Sequence, residues 1–149
     1  MSTHRRRIQA MQALLAGSVL SRSSLLGVIN SEYTEVVRTH RVRQTRRRQL
    51  LQVLHSTRAL DTSLKEFTTL HGIPVPNPSL GGYLVALERN RPRSTLRLLP
   101  SVQRLHYQAT IVRPRNRYMH DADAYPRDDR EIQTLLAEMH NCLVAVLNL

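Results

Sequence analysis

The C-terminal stretch constrains the fold more than any other. Ile132, Leu135, Leu136, Met139, Leu143, Val146 and Leu147 recur at steps of three and four, the period of a helix with one apolar face. Pro126 suits the first turn of that helix, and Asp128, Asp129 and Glu131 oppose its dipole at the positive end, so a last helix is expected over about 126–147. An apolar stripe needs something to bury it, and the rest of the chain offers only helices. Asn-Gly and Asp-Gly hairpin signals and alternating apolar runs are missing. The expectation is an all-α bundle of four to six helices forming one domain over 1–149.

The order of elements follows from the same reading. A first helix is expected over about 3–21, with Ile8, Met11, Leu14, Leu15 and Val19 facing the core and Gly17 as a weak spot. Ser31, ahead of Glu32 and Glu35, reads as the N-cap of a second helical region; whether Leu25–Ile29 extends the first helix is open. The second region, resumed by Leu50, Leu51, Leu54, Leu64, Phe67 and Leu70, is one long helix or two broken near 39–44, and it stops at Gly72. The prolines at 74, 76 and 78 enforce an irregular connector. A short helix over 80–89 follows, then a turn at 90–93, then a helix capped at Ser94 or Thr95 that runs to about Val112 and is kinked or restarted by Pro100.

Charge narrows the partners. The 149 residues carry 22 Lys and Arg against 11 Asp and Glu, a formal net charge of +11. That excess points to a polyanion. Lys65 is the only lysine, so part of the arginine bias can reflect codon usage. Cys142, the one cysteine, sits among Leu143, Val144 and Val146 and reads as a buried, inert thiol. Neither an internal disulfide nor a cysteine-based zinc site can form. No apolar run reaches the ~20 residues of a membrane span, so no membrane partner is expected, and a cytoplasmic protein is. No acidic residue precedes Glu32, and the Arg- and Ser-rich start has the composition of a transit peptide; a basic amphipathic first helix is the preferred reading. Seven histidines invite a metal site, with His120, Asp121 and Asp123 the nearest cluster. No His-x-x-x-His or Glu-x-x-His pattern supports one, and no phosphate-cradling glycine loop is present. No metal or other cofactor is expected.

Arg115-Asn116-Arg117-Tyr118-Met119-His120 is the stretch richest in chemistry. Arginine offers a planar cationic fork for phosphate oxygens, and histidine moves protons near neutral pH. Together they suit metal-free cleavage of a phosphodiester. The stretch is expected between a helix end near Val112 and the helix start near Pro126, with irregular backbone around Pro114. A regular helix would set Arg115 and His120 roughly 140° apart, whereas Arg113, Arg117 and His120 would share a face. Arg46-Arg47-Arg48 could hold an RNA backbone, and Tyr118 could stack on a base.

Arg115, Asn116 and His120 resemble the motif of the HEPN superfamily: an arginine followed by a polar residue, then a histidine, ahead of a late helix. The resemblance covers the chain from about Ser101. It implies a metal-independent endoribonuclease, a hydrolase of toxin–antitoxin or phage-defence systems, with Arg115, His120 and Asn116 catalytic. It further implies a homodimer whose paired motifs meet, and an antitoxin or regulatory protein as partner. Arg113, Arg117, Tyr118, Arg46, Arg47 and Arg48 are the expected RNA contacts. Where some members carry a modified tyrosine two residues after the histidine, this chain has Ala122. The alternative is a non-catalytic, basic nucleic-acid-binding or nucleoprotein subunit.

Overall fold

The computed structural model describes residues 3–89 and 96–149. The expected turn at 90–93 and the expected cap at Ser94 or Thr95 lie outside them. The described chain is helical throughout, with no strand: α1 (Thr3–Ala16), α2 (Leu26–Arg38), α3 (Thr45–Leu70), α4 (Leu80–Arg89), α5 (Ser101–Tyr107), α6 (Arg113–His120) and α7 (Asp129–Leu147). Short 3₁₀ turns, Val19–Arg22 and Thr39–Arg41, lead into and out of α2.

α3 is the axis of the bundle. Its 26 residues span about 39 Å, and it packs against α2, α4, α6 and α7. That position explains its composition. A helix covered on several sides cannot keep a polar face in solvent, so Ser56, Thr57, Ser63 and Thr68 are buried beside Val53, Ala59, Leu60, Leu64 and Phe67. Ser56, Ser63 and Thr68 satisfy their hydroxyls on carbonyls three or four residues back. The expected apolar stripe is therefore displaced at its start: Leu50, Leu51 and Leu54 are only half-buried and Leu70 is exposed.

Local signals set several boundaries. α3 stops in a Schellman motif. Gly72 has a φ of 64°, its N–H donates to Thr69 O, the Ile73 N–H donates to Thr68 O at 2.9 Å, and Ile73 is buried. In α4, Gly82 is required for contact: a Cβ there would stand 1.7 Å from the Asn77 carbonyl oxygen. α7 begins at Asp129 rather than Pro126, with Asp128 as N-cap accepting from the Glu131 N–H. Its stripe is buried as expected, with Cys142 beside it. Burial pushes the Cys142 thiol up to about 12, so it stays protonated and unreactive at neutral pH.

Four expectations are corrected. α1 ends at Ala16, not Ser21, where the chain turns at Gly17. Ser31 is not a cap: α2 begins at Leu26, and the Ser31 hydroxyl bonds the Gly27 carbonyl inside it. The helix expected from about 94 begins only at Ser101, residues 96–100 being non-helical, so of the two expectations for Pro100 the kink fails and a helix start just after it holds. The chain does not leave the helix near Val112. A π-helical segment, Gln108–Val112, joins α5 to α6, so 101–120 is one continuous helix. Pro114 fits because it falls just after the π turn, at the first positions of α6.

Candidate nucleic-acid interface

The arginine–histidine motif lies on α6, a regular helix of eight residues. At about 100° per residue, its side chains divide cleanly. Tyr118 is buried, while Pro114, Arg115 and Met119 are half-buried. Arg113, Asn116, Arg117 and His120 are exposed and sit at spacings of three and four, on one outward face.

Arg115 is thus on the wrong side to join His120 within one chain. Its Nη1 donates to Asn116 Oδ1 at 2.9 Å, and its Nε is buried without a partner. It faces α3, where burial raises the Asp61 carboxyl pKa and the charges of Arg115 and Lys65 oppose that rise. His120 ends α6, exposed and without a hydrogen bond or ion pair among the described residues. The irregular backbone expected around Pro114 does not bring the two together, and no single face of the protomer carries both.

Glu131 of α7 organises the neighbouring surface. It accepts from the Tyr118 hydroxyl and from the Arg127 N–H at 2.9 Å, with Arg117 Nη2 3.9 Å away. Burial alone would raise its pKa, but the hydrogen bonds from Tyr118 and Arg127 outweigh burial and lower it. Burial, then the bond to Glu131, raises that of the Tyr118 hydroxyl. Tyr118 is therefore a packed anchor for α6 with little ring face to offer a base. Arg117 stays 58% exposed at its side chain.

The arginine run of α3 splits. Arg48 turns toward α7, with Nη2 3.6 Å from Asp129 and Nη1 3.4 Å from the Val42 carbonyl. Arg46 and Arg47 turn the other way, onto a groove of about 540 Å³ between α3 and the end of α6. Leu50, Leu51, Leu54 and Met119 give the groove apolar walls, and Gln44 and Tyr125 complete it. The Arg46 guanidinium stands 4.2 Å above the Tyr125 ring centroid, a cation–π contact that holds it at the rim. Of the six expected RNA contacts, Arg46, Arg47 and Tyr118 line this groove. Arg113 and Arg117 share the outward face of α6, and Arg48 belongs elsewhere.

The start of α3 adds a further charge. Gln44 is its N-cap and makes no side-chain cap bond, and the first turn holds no acidic residue. Arg46, Arg47 and Arg48 therefore stack on the positive end of the helix dipole. Sequence reading missed Tyr125 and Gln44 as members of the groove. The one available signal was that Leu50, Leu51 and Leu54 follow directly on three arginines. His120, Asp121 and Asp123 form no metal site: among the described residues no group of three His, Cys, Asp or Glu side chains is placed to hold an ion. No described helix is long and apolar enough to cross a membrane. No family model, no curated protein and no solved structure matches this chain, so the resemblance to HEPN proteins rests on the α6 residues alone.

Proposed function

We propose that this chain binds single-stranded RNA, gripping it at the start of α3 and along the outward face of α6. The observation that carries this reading is the uncapped N-terminus of α3, where Arg46 and Arg47 open onto an apolar groove. Cations at a positive helix end repel it; phosphates there relieve both the arginines and the unpaired N–H groups. The apolar walls accept an unpaired base, which duplex RNA would have to unstack to supply. The test is binding of a fluorescent single-stranded RNA, compared with duplex RNA, by the native chain and by an Arg46→Glu/Arg47→Glu double variant. Loss of affinity in the variant supports the reading; equal affinity overturns it.

A second reading, metal-independent endoribonuclease, has one specific observation behind it: His120, Asn116, Arg113 and Arg117 share an exposed face. His120 would take the 2′-OH proton as the 2′-oxygen attacks phosphorus. Arg113 or Arg117 would offset the charge growing on the phosphoryl oxygens. The bond to the 5′-oxygen breaks as that oxygen gains a proton, leaving a 2′,3′-cyclic phosphate and a 5′-hydroxyl. Arg115 could join His120 only across two copies of the chain, which is how a homodimer would assemble the motif. A toxin or phage-defence role with an antitoxin partner follows from the family resemblance alone. Incubating RNA with EDTA and either the native chain or His120→Ala tests this. Cleavage that survives EDTA and is lost in His120→Ala supports it, and cleavage by a well-folded His120→Ala overturns it.

A further inference from the structure

A second cavity, of about 490 Å³, lies on the opposite side of the arginine run. It is bounded by the first turn of α1, the 3₁₀ turn after α2, the start of α3 and the first residue of α7. Its lining is unusual for this protein. Arg5, His40 and Arg48 line it alongside a single acid, Asp129, and that carboxylate is already engaged by Gln49 Nε2 at 3.0 Å and by Arg48. Deeper in, Gln52 is only 7% exposed. Its Nε2 donates to the Thr39 hydroxyl at 3.0 Å, which itself donates to the Val36 carbonyl at 2.6 Å. The Gln52 Oε1 has no partner.

His4, which also lines the cavity, carries the complementary group. Gln133 Nε2 donates to its Nδ1, which leaves the ring proton on Nε2, and that nitrogen is buried without a partner. Burial lowers the pKa of His4, more than Asp129 restores it, so a neutral ring with Nε2 as its donor is the form expected at pH 7. One cavity thus holds a buried acceptor, a buried donor and a cationic lining. Buried polar groups are ordinarily paired, and both of these belong to residues that line the cavity.

We infer that this cavity is a binding site for a small organic phosphate whose other end carries hydroxyl or amide groups. The phosphate lies against Arg48 and His40, and the polar end donates to Gln52 Oε1 and accepts from His4 Nε2. The site is separate from the RNA groove, since Arg46 and Arg47 line that groove and not this cavity. The inference therefore does not rest on the RNA reading.

Ribose 5-phosphate, ribose and inorganic phosphate serve as probes, titrated into the full chain with ¹⁵N NMR of the His4 ring and the Gln52 side-chain amide as the readout. Ribose 5-phosphate is expected to shift both signals and to bind about tenfold tighter than either fragment, about 1.4 kcal/mol. Arg48→Gln should weaken ribose 5-phosphate and inorganic phosphate together. Gln52→Leu, close in volume and apolar, should weaken ribose 5-phosphate about tenfold and leave inorganic phosphate unchanged. Arg46→Glu/Arg47→Glu should leave all three probes unaffected. Unmoved His4 and Gln52 signals in the native chain at about 10 mM probe, well beyond the 1 mM affinity scale, would overturn the site. Equal binding of ribose 5-phosphate and inorganic phosphate would overturn the role of Gln52 and His4.

Discussion

α3 and α7 begin within reach of each other, joined by Arg48 and Gln49 on one side and Asp129 on the other, yet they begin in opposite ways. α7 is capped by Asp128, carries Asp129 and Glu131 in its first turn, and has the Arg127 N–H tied to Glu131. The cap and both acids lower the free energy of the helix and outweigh the one first-turn cation, Arg130. α3 has no side-chain cap and three arginines in its first turn. A helix start that ignores capping and reverses the favoured charge is held by packing further along, and its electrostatic deficit is available to an anion. α7 is stabilised at its start by its own side chains, and α3 is not.

Reversing Arg46 and Arg47 should weaken single-stranded RNA binding by about 100-fold or more and lower the salt slope by about 1.4, as for two phosphate contacts, without loss of thermal stability, since acids then replace cations at the positive helix end. A slope unchanged in an affinity titration against salt would make these arginines ordinary solvated charges. At α7 the opposite pattern is expected: Asp128→Ala should cost about 1 kcal/mol, about 2–4 °C in Tm, and leave RNA affinity intact. If calorimetry shows no loss, α7 is not the stability-optimised start described above.

A sharper version adds to α3 what α7 already has. Gln44→Asp should cap the helix and offset its arginines, raising stability by about 0.5–1 kcal/mol while weakening RNA binding several-fold. A variant that gained both stability and affinity would contradict the trade between them. The smallest effect concerns pH. Burial lowers the pKa of His4, and burial followed by the charge of Arg7 lowers that of His140, whose Nδ1 lies 3.5 Å from Arg7 Nη1. Both rings pack where α1 meets α7. With folded values below 6.5, the unfolded chain binds more protons between the two values, so this contribution is present above about pH 6.5 and is lost as pH falls. His140→Asn should flatten the decline in denaturant stability between about pH 7 and 5, and an unflattened curve would place the titration elsewhere.

Much of the scaffold was legible before any packing was known. The stop at Gly72, the helix Leu80–Arg89 and the buried stripe of α7 each follow from short-range chemistry: a glycine able to take positive φ, a proline-bounded segment, a single apolar face. The candidate site was legible in its residue types and not in its arrangement. Arg46, Arg47 and the exposed residues of α6 were recognisable as phosphate-seeking groups. Their grouping was not, because the π segment carries 101–120 through as one helix and turns Arg115 toward α3. Tyr125 meets Arg46 across a long stretch of chain, and no spacing rule reports such a contact.

By itself the sequence determined that this chain would be all-α, where α3, α4 and α7 stop, and that its surface would be strongly cationic. Those properties depend on neighbours three or four residues away and on simple counting. Only the tertiary structure decided which faces those helices would hide. Leu50, Leu51 and Leu54 wall a groove, while Ser56, Ser63 and Thr68 are buried. Burial of a face depends on which other helices cover it, and on α3 four helices compete for that role.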